Sequence, residues 1–298
     1  MTIRFGVSPI AWINDDMPEL GADTPLVNVL AEARELGFVG IELGGRFPRD
    51  PQQLKELLSG YDLALIGGWY SIHLLTRSAE DEIAALQAHL GLLEAMGSTV
   101  FIAAECSNAI HGQRATALTR QPHVNDWMQF GERLTTVGDY ITGRGLRFAY
   151  HHHLGTVVQT QSDVETLIAN TGTSVGLTVD TGHAALGDFD AAQFIRAHSN
   201  RVAHVHCKDV RRQVFMDIMT SQRSFLDGVL AGMFTAPGDG SIEFKDIMTA
   251  LANIAYSGWI VVEAEQDPAV ANPRTYAALG LSTLRRDARS AGLMGPGG

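Results

Sequence analysis

Cysteine is scarce in this chain. Cys106 and Cys207 are the only two, far apart in sequence and with no partner at knuckle spacing, which excludes a disulfide framework and a cysteine-ligated zinc site. Basic charge is also short: 22 Lys and Arg stand against 33 Asp and Glu, a formal net charge of −11. Such a surface repels nucleic-acid phosphates and anionic lipid headgroups, so neither partner is expected. No apolar run approaches the roughly 18 residues of a membrane span. The N-terminus, Met1 to Val7, enters a strand-like run without the basic start and apolar stretch of a signal peptide. What the chain does have is apolar content, 45% over 298 residues, enough to bury one large core or two ordinary ones. The expectation is a globular, cytoplasmic protein whose oligomeric state is open, a homo-oligomer being one outcome.

Strand-like and helix-like runs alternate eight times. Residues 3–7, 38–42, 63–67, 99–105, 146–151, 175–180, 202–208 and 259–263 read as strands, each followed by apolar residues at helical spacing. The first helix shows the pattern: Asp23-Thr24-Pro25 opens it, Leu26, Val29, Leu30, Ala33 and Leu36 form its apolar stripe, and Gly37 closes it. Asp50-Pro51 opens the second, and Ile83, Leu86, Leu90 and Leu93 mark one helix ending at Gly97. Eight units match a (β/α)8 TIM barrel of the usual size, whereas a doubly wound sheet stops at five or six strands. The turn after the first strand, Ser8-Pro9-Ile10-Ala11-Trp12, lacks the glycines that cradle a pyrophosphate. The chain is therefore read as one α/β domain over residues 1–291, with 292–298 as a flexible tail. Connections 106–124 and 209–242 are long and lie on the C-terminal side of the barrel, where lids and binding loops belong.

Ionisable residues collect at the strand ends. The fifth strand ends in His151-His152-His153, the sixth in Asp180-Thr181-Gly182-His183, the seventh carries His204, His206 and Lys208, and the eighth ends in Glu263 followed by Glu265. Alternation puts His151 and His153 on one face, His204, His206 and Lys208 on one, and Glu263 and Glu265 on one. Mixed imidazole and carboxylate donors from four neighbouring strands suit a divalent transition metal better than Ca²⁺ or Mg²⁺. His151, Asp180, His206 and Glu263 are the expected ligands. Lys208, His153 and His183 are the candidates for proton transfer, with the lysine pKa expected to fall beside the ion; its other reading is a salt bridge to Asp209 or Glu265. Trp12, Trp69, Tyr70 and Phe225 are candidate walls, and Glu42, Glu105 and Glu265 candidate substrate contacts. His152 is expected to be packed or capped, His204 is open between core and support of the site, and Cys207 reads as a small buried hydrophobe. His73, His89, His111, His123 and His198 read as loop or helix-surface residues.

Asp180-Thr181-Gly182-His183, His206-x-Lys208-Asp209 and Glu263 resemble the xylose-isomerase-like TIM-barrel superfamily, a group of divalent-metal enzymes. Within it the chain is most similar to the inosose dehydratase family, through Ser8 to Trp12 with Asn14-Asp15-Asp16, Glu42 to Pro48, Gly68-Trp69-Tyr70, Tyr150 to Thr156, Ser224 to Asp227, Phe234 to Gly240 and Val262 to Pro268. One departure from the wider superfamily is His151, where most members place a glutamate. The resemblance implies dehydration of scyllo-inosose, a cyclic polyhydroxy ketone, to a trihydroxycyclohexane-1,2-dione in inositol catabolism. It also implies Mn²⁺ or Co²⁺, and a glutathione requirement that no residue here explains. A ketose isomerase or epimerase of the same superfamily is the alternative.

Overall fold

In the computed structural model, which describes residues 2–294, ten strands form. They are β1 (Ile3–Val7), β2 (Gly40–Leu43), β3 (Ala64–Ile72), β4 (Val100–Glu105), β5 (Arg147–His151), β6 (Val175–Asp180), β7 (Val202–Cys207), β8 (Asp209–Val210), β9 (Phe234–Thr235) and β10 (Gly258–Val262). Eight close into a parallel barrel in the order β1-β10-β7-β6-β5-β4-β3-β2, the TIM-barrel arrangement expected, while β8 and β9 pair as a short antiparallel ribbon. Apolar side chains on the outer face pack under the helices. The inner face is different: Ile66, Val100, Ile102, Ala149, Trp259 and Val261 plug the lumen. Room for that plug comes from Gly40, where a Cβ would stand 2.5 Å from the Trp259 ring. The Arg4 guanidinium lies 4.0 Å over the same ring. With its lower end filled by apolar groups, the barrel is left with its polar inner residues at the C-terminal end, where Glu42, His151, Asp180, His206 and Glu263 lie.

A second apolar cluster caps that end. Met17 from the loop after β1, Leu118 from the connection after β4, and Ile218, Phe225, Leu226, Met233 and Phe234 from the segment after β7 pack together. Both long connections thus serve as the cap, as their position predicts. Asp209 anchors it, its carboxylate accepting hydrogen bonds from the backbone N–H groups of Val210, Gly238, Gly240 and Ile242. Orphaning buried N–H groups costs roughly 1–3 kcal/mol each, offset where water enters. Asp209→Ala should therefore lower unfolding stability by about 3 kcal/mol, read as a reduced urea midpoint; an unchanged midpoint would show that the carboxylate holds nothing.

In its elements and boundaries the sequence reading needs four corrections. The helix expected across 83–93 is two, Ala79–Ala85 and Gln87–Ala95, broken at the buried Leu86. Pro25 is itself the cap of Leu26–Leu36, with no side-chain hydrogen bond, so Asp23 and Thr24 do not cap it. β3 runs on to Ile72, so Trp69 and Tyr70 belong to a strand. Leu293 is buried against the core, so the barrel's packing passes the expected boundary at 291. The remainder of the expected tail, 295–298, lies outside the described residues. No helix among the described residues is long and apolar enough to cross a membrane.

Candidate active site and metal centre

β5, β6 and β7 end side by side, with His151 paired to Thr178 and Asp180 to His206. His151 Nε2 lies 3.6 Å from Asp180 Oδ2, and His206 Nδ1 lies 3.7 Å from the same oxygen. One ligand atom from each of these three buried residues falls within 4.8 Å of the others. Glu263 Oε2 completes the cluster at 2.7 Å from His206 Nδ1. That contact is close but not aligned as a hydrogen bond. Asp180 Oδ2, His206 Nδ1 and Glu263 Oε2 are all buried without a hydrogen-bond partner. Orphaned buried acceptors are costly unless something else satisfies them.

The far side of each imidazole explains which atom is free. His151 Nδ1 is 2.6 Å from the carbonyl of His152, to which it donates, leaving the Nε2 lone pair aimed at Asp180. His206 Nε2 is 2.9 Å from Glu42 Oε1, which turns Nδ1 toward Asp180 and Glu263, and His204 Nε2 donates to the same Glu42 oxygen at 2.9 Å. These tautomers are assigned from the acceptors present. A carboxylate or carbonyl behind a histidine is the support that metal-ligating histidines carry. Asp180 Oδ1 is tied down by the N–H groups of Gly182 and His183 at the start of the helix Thr181–Leu186, so only Oδ2 is free. The donor set fits a divalent transition metal in chemistry and orientation. His151, Asp180, His206 and Glu263 would hold it, and Glu42 and His204 stand behind His206.

Charge is concentrated around Lys208. Its Nζ is 2.9 Å from Glu263, 3.1 Å from Glu265 and 3.9 Å from Asp180. Burial opposes a charge on this amine, but the three carboxylates outweigh it and hold the pKa above the usual lysine range. The expected downward shift is thus reversed, because the ends of β6 and β10 together bring three anions to one ammonium. The salt-bridge reading therefore holds for Glu265 and not for Asp209. Burial would also raise Asp180 and Glu263; Lys208 and the histidines around them together outweigh it and keep both below the ordinary carboxylate range. Glu265 behaves otherwise, burial pushing its pKa up to about 7 despite the lysine.

A cavity of 480 Å³ opens over the cluster, lined by Glu42, Trp69, His111, His151, His153, His206, Glu263 and Glu265 among others. His153 Nδ1 is 2.8 Å from the carbonyl of Leu154, to which it donates, so Nε2 carries the lone pair. Burial, reinforced by the neighbouring His111, His151 and Lys208, holds its pKa well below the ordinary histidine value. His183 is fully buried and does not line the cavity; its ring centroid lies 3.8 Å from that of His153 with the planes tilted by 38°, and Lys208 Nζ is 3.2 Å from its Nε2.

Trp12, Tyr70 and Glu105 do not reach the cavity. Trp12 follows the short helical turn Pro9–Ala11 and is buried outward, its indole N–H donating to Glu32 at 2.7 Å. Tyr70 alternates with Trp69 and so faces out, against His89 and Phe101. Glu105 falls on the outer face of β4, opposite Ile102, and accepts from the N–H groups of Leu74 and Ser107. Phe225 packs behind His153 and His183. His152 is packed as expected, accepting from the Asp180 N–H and lying against Phe189. Cys207 is fully buried, its thiol pKa pushed up by that burial. Sequence reasoning missed His111, Arg46, Arg49 and Asn14, which line the cavity. For Arg46 and Asn14 the stretches carrying the family resemblance held the signal; for His111 there was none. His89, read as a loop or helix-surface residue, is half-buried on its helix, packed between Tyr70 and Phe101, and burial lowers its pKa to about 4.

With this geometry in place, comparison with known proteins is informative. The chain is 42% identical over 294 residues to the rhizopine catabolism protein MocC of Rhizobium meliloti, covering 98% of this chain and 90% of that one. It is 40% identical over 279 residues to the inosose dehydratase of Geobacillus thermodenitrificans, covering 92% and 94%. Among solved structures, the D-psicose 3-epimerase of Clostridium cellulolyticum with D-tagatose superposes with a TM-score of 0.69 at 16% identity, over 96% of this chain and 99% of the other. That likeness shows the fold alone. The family profile described as xylose isomerase-like TIM barrel matches residues 30–286, and the chain belongs to that family.

Proposed function

We propose that the protein is an inosose dehydratase, a hydro-lyase that removes water from scyllo-inosose to give a trihydroxycyclohexane-1,2-dione in inositol catabolism. The observation that carries this reading is the convergence of His151, Asp180, His206 and Glu263 beside the free Nε2 of His153, in a chain about 40% identical to inosose dehydratases over nine-tenths of its length. Mn²⁺ or Co²⁺ is the proposed ion, held by those four residues. When bound, it supplies Lewis-acid polarisation of the ketone and stabilises the charge that grows on its oxygen. His153 Nε2 takes the proton from the carbon next to the ketone. Lys208 does not line the cavity, but Glu265 does and touches Lys208 at 3.1 Å. The proton that the departing β-hydroxyl needs passes from the Lys208 ammonium through the Glu265 carboxyl. His183, packed against His153 and in contact with Lys208, holds both in place. One proton is taken, one is given, water leaves, and the resulting enol tautomerises to the dione. No redox step occurs.

The free cysteines, Cys106 and Cys207, suit the cytoplasm, where thiols stay reduced. Protein loaded with Mn²⁺ or Co²⁺ should convert scyllo-inosose to a product with the ultraviolet absorbance of the dione, assayed with and without glutathione. Chelation should abolish the signal. An isomeric ketone in place of the dione would overturn the dehydratase reading and favour an isomerase or epimerase.

A further inference from the structure

One imidazole of the cavity wall has no part in the chemistry above. His111 stands on the connection after β4, its ring centroid 4.9 Å from that of His153, 6.2 Å from Trp69 and 6.3 Å from Phe225. The backbone pins it there. The Ile110 N–H donates to the Gly155 carbonyl at 2.7 Å. Gly155 has φ +78 and approaches so closely that a Cβ on it would stand 3.0 Å from the backbone nitrogen of His111. Further along, the Leu118 N–H donates to Arg223 in the cap at 2.8 Å, and Arg114 pairs with Glu19 of the loop after β1.

The ring's two nitrogens differ. Nδ1 is buried with no hydrogen-bond partner among the described residues. A buried nitrogen that finds no acceptor costs less as a bare lone pair than as an unpaired N–H, so the hydrogen belongs on Nε2. His153 is the reverse, its Nδ1–H spent on the Leu154 carbonyl and its Nε2 bare. Two adjacent imidazoles therefore offer one donor and one acceptor. A hydroxyl, which accepts and donates at once, matches that pair.

We infer that His111 is a substrate-contacting residue that sets specificity: its Nε2–H donates to a ring hydroxyl oxygen of the polyhydroxy ketone bound between it and His153. The identity of the substrate rests on the dehydratase reading. The contact itself is tested without turnover, by calorimetric titration of Mn²⁺-loaded protein with myo-inositol, which carries the hydroxyls but no ketone. His111→Ala should keep its metal and weaken myo-inositol binding about tenfold, the worth of one hydrogen bond. KM for scyllo-inosose should rise by the same factor with kcat within about threefold, since the contact is made equally in ground and transition states. His111→Gln, which retains an N–H donor, should recover most of the loss. Unchanged binding and KM in His111→Ala would make His111 a packing residue. Loss of metal, a hundredfold fall in kcat at constant KM, or a wild-type protein that binds no polyol would each also overturn the proposal. If wild type binds myo-inositol but releases no dione from scyllo-inosose, the dehydratase reading fails while the titration still decides the contact.

Discussion

Asp180→Asn should give a folded protein that no longer retains a divalent ion. The asparagine oxygen can still accept from the Gly182 and His183 N–H groups that Asp180 Oδ1 now caps, so the helix Thr181–Leu186 keeps its start. What changes is the other atom: an amide nitrogen replaces Oδ2, the oxygen on which His151 and His206 converge. Removing a group that merely supports a ligand costs roughly 10–100-fold in metal affinity. Removal of the central donor should therefore exceed about a hundredfold, and dehydration should fall below detection. Metal analysis of purified protein, alongside circular dichroism to verify the fold, is the measurement. His151→Ala belongs in the same experiment, because this position departs from the glutamate of most superfamily members. Its metal content should drop as well. Stoichiometric metal in Asp180→Asn would remove the centre from this account, and stoichiometric metal in His151→Ala would reduce the ligands to three.

The second large effect separates the two proton transfers. His153→Ala should retain metal yet lose about two to four decades of kcat, the usual worth of a positioned base. In heavy water it should also stop washing deuterium into recovered scyllo-inosose. Lys208→Met should lose dehydration to a similar extent while exchange continues, because its ammonium acts at the departing hydroxyl through Glu265 and not at the α-carbon. Metal content must be verified in the lysine variant, since Nζ lies 2.9 Å from Glu263. Exchange lost in Lys208→Met and kept in His153→Ala would reverse the roles. Wild-type rates in both would leave the site without its acid and base.

The chain itself determined the barrel and carried the four proposed ligands to one rim. Parallel strands buried on both faces read as short apolar runs, and Pro and Gly punctuate the helices between them, so the eight units are legible without tertiary information. The four proposed ligands each sit at a strand end, where connectivity alone carries them to one rim. Faces were harder. Trp69 and Tyr70 are neighbours with opposite fates, and choosing between them requires knowing that β3 continues to Ile72 through a register shift between β2 and β3. Glu105 and Glu42 both end their strands in the sequence pattern, but one lies on the outer face and one on the inner, a parity that single-residue differences in strand register decide. Charge states were not local at all. Lys208 is held as a cation by Asp180, Glu263 and Glu265, brought to it from β6 and from the end of β10, and electrostatic energy depends on those distances, not on sequence spacing. His111 is the furthest from legible: it is separated from His153 by the helix Trp127–Gly143 and all of β5, and only the packing of its loop backbone onto Gly155 brings the two imidazoles together.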